Sequence, residues 1–378
     1  MKRDLWAGVQ SGSGLRQGRE ALYAMLDQAA VTAGIPPSAM IRLLDSPTPE
    51  LLNRLFTAAR SQRERHFGTR VYLYGTLNIS THCRQRCSFC YFRKTNRLAR
   101  RYRQPLPQVV DQARCLAASG VHLINLTGGE DPFFFDDGLH GFDPLVEMVR
   151  AVSTDTGLPV MISMGVLPGA VMPRLHAAGA VWYACYQETY NRQRFGQLRV
   201  GQDFDQCYQS KMTARQNGLL VEDGVLCGTG ETSRDLLDAF TAMARLGASQ
   251  VRATTFVPLV GTPMHDEAPS SSLRTSIAIA LLRITYPDLL IPAPLDWGGM
   301  ADLREHLNAG ANVVAGLVTP GSDAGELPMA RSEQRTMEGI ACTLRGCGLA
   351  PASADTYRDR VLRHSPIETR KASGEVFS

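Results

Sequence analysis

Val71–Ile79, VYLYGTLNI, runs directly into Ser80–Cys90, STHCRQRCSFC. The first part is apolar and β-rich and predicts a buried strand. The second sets Cys83, Cys87 and Cys90 in a C-x3-C-x2-C pattern just past that strand, where α/β folds carry their chemistry. Seven further apolar runs follow, at His122–Thr127, Pro159–Ser163, Val181–Tyr186, Leu219–Leu226, Val251–Val257, Leu289–Ala293 and Ala311–Ala315. Amphipathic stretches separate them, among them Pro107–Ala118, Asp143–Ser153, Asp205–Asn217, Ser233–Leu246 and Ser272–Thr285, with Gly120, Gly179, Gly218 and Gly247 at helix ends. Eight strand-like runs alternating with helices predict an α/β fold of the (β/α)8 TIM-barrel type. The number of repeats favours it over a doubly wound open sheet.

Residues 1–16 are rich in Gly, Ser and Arg and read as a mobile tail. Helical patterns near Gly18–Ala33, Pro36–Asp45 and Thr48–Phe67 make residues 17–68 an N-terminal extension that packs on the barrel. Their apolar faces are expected to close its lower end. The barrel itself is assigned to residues 69–330. After a Pro/Gly/Ser-rich segment, Thr319–Leu327, residues 331–378 hold two C-terminal helices, within Ser332–Arg363, and a loose tail.

Of 378 residues 44% are hydrophobic and 20% charged, which suits a large core and excludes a disordered chain. No apolar run approaches the ~18 residues of a membrane span, and the N-terminus, MKRDLWAGVQSGSG, lacks the apolar segment of a secretory signal. A net charge of +4 is too mild to imply a nucleic-acid partner. Nine cysteines, an odd number, speak against a disulfide framework and for a reducing cytoplasm. Cys115, Cys207, Cys342 and Cys347 are expected to be small buried hydrophobes.

Three thiolates on one short loop can hold three corners of a cubane and leave the fourth iron without a protein ligand. Zinc would want a fourth Cys or His at short spacing. Arg84 and Arg86 lie between the cysteines and are expected to lower the thiol pKa values and offset a cluster's negative charge.

The triplet, with Phe89 before its last cysteine, resembles the radical S-adenosylmethionine (SAM) superfamily. The likeness extends through Val71–Arg103, Leu126–Phe134, Tyr186–Gln202, Val221–Gly230, Gln250–Met264 and Ala309–Val314 to the methylornithine synthases of pyrrolysine biosynthesis, relatives of biotin synthase and the hydrogenase maturases. It covers roughly residues 50–360. The resemblance implies one [4Fe–4S] cluster on Cys83, Cys87 and Cys90, and SAM chelated to the open iron. Reductive cleavage would yield a 5′-deoxyadenosyl radical that takes a hydrogen atom from substrate. It also implies an electron donor such as flavodoxin or ferredoxin. For SAM it implies Phe89, Gly128, Gly129, Glu130 at the amino group, Ser163 and Glu188 at the ribose, and Arg199 at the carboxylate.

For an amino-acid substrate the resemblance implies Arg252 and Asp296, which match the family's arginine and one aspartate. Two positions depart from it. Asn125 stands for an aspartate and Pro294 for a serine. Further departures fall at Gly128, Met164, Cys185, Cys227 and Thr254, where Met, Pro, Leu, Thr and Met are expected. An unpaired buried ammonium is costly, so losing a carboxylate argues against lysine. Asn125 and Thr254 suit a neutral or anionic side-chain end. The leading expectation is a carbon-skeleton mutase giving a β-methyl product, with glutamate to 3-methylaspartate as first guess. The alternatives are lysine to 3-methylornithine, a radical lyase or maturase, and an iron–sulfur scaffold without turnover. Cys342 and Cys347 are the only other close cysteine pair, too few for a second cluster.

Overall fold

The computed structural model describes residues 12–295, 299–319 and 337–363. Its eight parallel strands are β1 (Arg70–Ser80), β2 (Leu123–Gly128), β3 (Val160–Ser163), β4 (Ala180–Ala184), β5 (Leu220–Cys227), β6 (Gln250–Thr255), β7 (Pro292–Pro294) and β8 (Val313–Leu317). They pair in the order β6-β5-β4-β3-β2-β1-β8-β7. A parallel bridge between Gln250 and Leu290 closes the ring, with the Val251 N–H donating to the Leu290 carbonyl at 3.0 Å. The fold is therefore the (β/α)8 barrel that the alternation predicts. β7 is shorter and later than its apolar run because Pro292 and Pro294 lack the N–H that a ladder uses.

Helix boundaries follow local chemistry. The helix Ser233–Leu246 opens on a reciprocal cap between Thr232 and Asp235 and stops at Gly247, whose φ of 68° is left-handed. Three helices precede the barrel: α1 (Gly12–Ala29), α2 (Pro37–Asp45) and α3 (Pro49–Phe67). α1 begins six residues before the expected Gly18, so Gly12–Arg16 is helical rather than tail. The Gly and Ser residues there are poor helix formers and masked the pattern.

α3 packs chiefly on the helix Ser272–Thr285, and α2 on that helix and on Ser233–Leu246. The N-terminal helices thus cover the barrel's flank. Its lower end is filled instead by Phe67, at the end of α3, and by the C-terminal helix Ala354–Arg363, whose Tyr357 and Val361 pack with Tyr72, Tyr74 and Trp182. The Tyr357 hydroxyl donates to that of Tyr74 at 3.1 Å, and Tyr74 donates to Gln250 at 3.0 Å. Just before this helix, β9 (Ala350–Pro351) pairs with the start of β1. His122 accepts the Leu73 N–H through Nδ1 at 2.9 Å, so its Nε2 carries the proton and donates to the Ala352 carbonyl at 2.9 Å.

Among the expected buried cysteines only Cys207 is buried; Cys115 and Cys342 are exposed and Cys347 partly so. No helix among the described residues is long and apolar enough to cross a membrane.

Candidate active site

The upper ends of the strands open into a cavity of about 320 Å³. Cys83, Phe89 and Cys90 line it, and Cys87 lines an adjoining chamber that shares all three. The three thiols therefore meet one continuous void. Their loop is irregular yet pinned. Arg101 donates to the carbonyls of Phe92 at 2.8 Å, Arg93 at 2.6 Å and Asn96 at 3.1 Å, and also to that of Thr81. Asp131 accepts from Ser80 at 2.6 Å and pairs with Arg103 at 2.7 Å. The end of β2 approaches so closely that a Cβ on Gly129 would lie 2.5 Å from the Cβ of Cys83, which only glycine avoids. Three thiols on one void suit three-corner ligation of an iron–sulfur cluster.

Burial pushes all three thiols up. The arginines opposing this are Arg101 at Cys83 and Arg199 at Cys87, not the two expected from sequence. Arg84 pairs with Glu130 at 3.0 Å and Asp136 at 3.7 Å, and Arg86 is exposed.

Glu188, Ser163, Gly128 and Gly129 line both chambers, while Glu130 and Arg199 line the cluster side. Glu188 has a φ of 64°, alone among the described non-glycine residues in being left-handed. Its N–H donates to the Gly224 carbonyl at 3.0 Å and its carbonyl accepts from Leu226 at 2.9 Å, which fixes the segment after β4 against β5. Burial raises its carboxyl to about 7, against the pull of Arg199. Burial opposes the Arg199 charge, but Cys207, Cys185, Cys87 and Glu188 around it outweigh this and hold it protonated. Arg199 donates to Gln202 at 3.0 Å and to the Tyr186 carbonyl; Gln202 in turn donates to Cys87 at 3.0 Å. Glu130 already accepts from Arg84, from Gln85 at 2.6 Å and from the Val166 N–H at 3.1 Å. An ammonium meeting Glu130 would share a carboxylate that also ties three loops together.

Asn125, Arg252 and Thr254 line the larger cavity. The Oδ1 position of Asn125 is buried with no hydrogen-bond partner, which marks it as a place for a ligand. Arg252 Nε donates to Glu222 at 2.6 Å, and the guanidinium lies 5.3 Å from the Tyr186 ring centre. Pro294 is buried in β7 and not on the cavity wall, and Asp296 lies outside the described residues. Of the other departures, Cys185 lines the cluster-side chamber and Cys227 lies in the outer core. Met164 fills the space beside Gly128, its Cε 3.6 Å from where a Cβ would stand.

Sequence reading missed the groups beneath this site. Lys211 and Asp223 form a fully buried pair at 2.7 Å. Asp223 also accepts from Tyr190 at 2.5 Å and from the Gln187 N–H at 2.9 Å, bracing the segment that carries Glu188. Glu222 and Asp223 in the apolar run LLVEDGVL were the available signal, since adjacent acids in a buried strand need partners.

The sequence pattern of the Radical SAM superfamily matches residues 77–243. The chain is 35% identical over 327 residues to the 3-methylornithine synthase of Methanosarcina acetivorans, covering 85% of this chain and 91% of that one. It is 38% identical over 280 residues to the Methanosarcina barkeri enzyme, covering 74% and 79%. A crystal structure of methylornithine synthase superposes with a TM-score of 0.83 at 33% identity, over 89% of this chain and 99% of the other. The chain belongs to the radical SAM superfamily of enzymes. Within it, the chain is closely related to the 3-methylornithine synthases.

Proposed function

We propose that the chain rearranges the carbon skeleton of a free α-amino acid whose side chain does not end in an ammonium, glutamate to 3-methylaspartate being the first candidate. The observation that carries this is the charge inventory of the larger cavity. Among its described lining residues Arg252 is the only Lys or Arg and Glu188 the only carboxylate. Glu188 is assigned to the SAM ribose, so an ammonium on the substrate side chain would meet Asn125, a neutral amide that cannot neutralise it. Arg252, oriented by Glu222, is assigned to the substrate carboxylate. Asp296 is assigned to its amino group.

Cys83, Cys87 and Cys90 would hold one [4Fe–4S] cluster, and Glu130, Glu188 and Arg199, with Phe89, Gly128, Gly129 and Ser163, would hold SAM. Together these cofactors supply a 5′-deoxyadenosyl radical able to take a substrate hydrogen. The chain's own part is to orient and to exclude water. Phe89, Phe92, Leu226 and Phe256 give the cavity apolar walls for that purpose. Replacing all three cysteines with Ala should remove the brown chromophore and SAM cleavage.

The test is incubation of the reduced, reconstituted enzyme with SAM and a panel of amino acids, read by mass spectrometry and chromatography. Isomerisation of glutamate, with lysine inert, is the expected result. Efficient conversion of lysine to 3-methylornithine would overturn the substrate assignment. That second reading is favoured by identities of 35% and 38% to enzymes named for that product. Asn125→Asp should raise lysine turnover, on the order of a hundredfold if it restores one buried ion pair.

A further inference from the structure

The helix Arg192–Leu198 runs into a four-residue turn in which the Gln202 N–H donates to the Arg199 carbonyl at 3.0 Å. Gly201 takes the third place in that turn with a φ of 80°, a conformation that strains any residue with a Cβ. The turn sets the side chains of its two outer residues against each other, and Arg199 Nε donates to Gln202 Oε1 at 3.0 Å. This contact decides which way the amide points, because a guanidinium can only donate. The amide nitrogen is therefore left for Cys87, whose Sγ it meets at 3.0 Å. The turn is also tied to the cysteine loop one residue further on. The Ser88 N–H donates to the Leu198 carbonyl at 2.7 Å, and the Ser88 hydroxyl to the Gln197 carbonyl at 2.6 Å. Gln202 itself is half-buried and lines the cluster-side chamber. The sequence thus builds a fixed relay from Arg199 through one amide group to one of the three thiols.

We propose that Gln202 is a positioning residue for the Cys87 thiolate and raises the reduction potential of the cluster assigned to Cys83, Cys87 and Cys90. The inference rests on that cluster assignment and is independent of which amino acid is the substrate. Reduction adds one electron, taken from a low-potential one-electron donor, and no bond in the chain is made or broken. The added negative charge falls partly on the ligating sulfurs. An N–H aimed at one of them therefore stabilises the reduced form more than the oxidised one. Arg199 strengthens the effect, since its guanidinium on Oε1 polarises the amide and makes the N–H a better donor. Arg199 is also assigned to the SAM carboxylate, so the same side chain would serve both cofactors.

The test uses the reconstituted full chain and two variants, Gln202→Leu and Gln202→Glu. Leucine removes the donor. Glutamate keeps an oxygen acceptor for Arg199 but presents an anionic oxygen to Cys87 in place of the N–H. Midpoint potentials are read by a dithionite titration followed by electron paramagnetic resonance, without SAM or substrate and at matched iron content. Gln202→Leu is expected to disfavour the one-electron reduction by about tenfold, or ~59 mV, and Gln202→Glu by more. This order separates tuning from mere support, which would lower the cluster content or the melting temperature and leave the potential of the loaded fraction unchanged. A wild-type potential in Gln202→Leu, or one at or above wild type in Gln202→Glu, would overturn the proposal. Should either variant take up no cluster, the wild type decides. Reduced, and carrying heavy nitrogen in its glutamine side-chain amides, it should show coupling to that nitrogen in electron–nuclear double resonance, and absence of the coupling would equally overturn the proposal. A wild type that holds no iron–sulfur cluster sinks the cluster assignment and this inference together, whereas turnover of lysine sinks the substrate reading alone.

Discussion

Glu188 holds a backbone conformation that costs a non-glycine residue ~1–3 kcal/mol. Glu188→Gly should therefore raise the melting temperature while weakening SAM binding, two effects of opposite sign from one substitution. Its carboxyl, raised to about 7 from 4.5 by burial, also fixes a pH signature. Between those values the folded chain holds a proton that the unfolded chain releases, so this group's contribution to stability falls as pH rises through that window. On the proposed assignment of Glu188 to the SAM ribose, binding runs the other way, because the ribose hydroxyls would favour the ionised acceptor. SAM affinity, measured by calorimetry, should drop as pH falls from about 8 to 6, and Glu188→Gln should flatten the dependence. Beneath it, Asp223→Ala should cost ~3–5 kcal/mol in chemical denaturation by stranding Lys211, and a Lys211→Met, Asp223→Leu double variant should recover part of that. The positions of Glu188 and Arg199 were legible because short motifs surround them. Their support was not, since Lys211 on one helix and Asp223 on a strand become neighbours only when the barrel closes.

Strong periodicity made elements legible, and irregular backbone did not. The helices Ser233–Leu246 and Ser272–Thr285 stand where their apolar spacing puts them. The loop after β1 has no period, and its order comes from Arg101 and four backbone carbonyls, which no local pattern announces. One helix carries a pH liability of its own. His306, on Gly299–Asn308, is buried with neither ring nitrogen partnered among the described residues, and burial lowers its pKa to about 4 from 6.5. The unfolded chain binds that proton first, so stability is lost as pH falls from about 6.5 toward 4. Thermal melts across this range should show the loss, and His306→Leu should remove its share.

For the whole molecule, the alternation of runs is enough to propose a barrel, but it does not say which element fills the floor. The N-terminal helices adjoin β1 in sequence, yet the floor belongs largely to a helix whose Tyr357 meets Tyr74 across 283 positions. Tyr357→Ala should destabilise the enzyme by ~3–5 kcal/mol, and Tyr357→Phe, which keeps the ring and loses the hydroxyl bond, by about 1 kcal/mol. Denaturation with guanidinium would separate the two. The position of this plug also orders events during synthesis. All eight strands precede it, so a nascent chain can assemble its ring while Tyr72, Tyr74 and Trp182 still face an open floor. Until the ribosome releases Ala350–Val361, the newborn barrel is a ready client for chaperones and proteases.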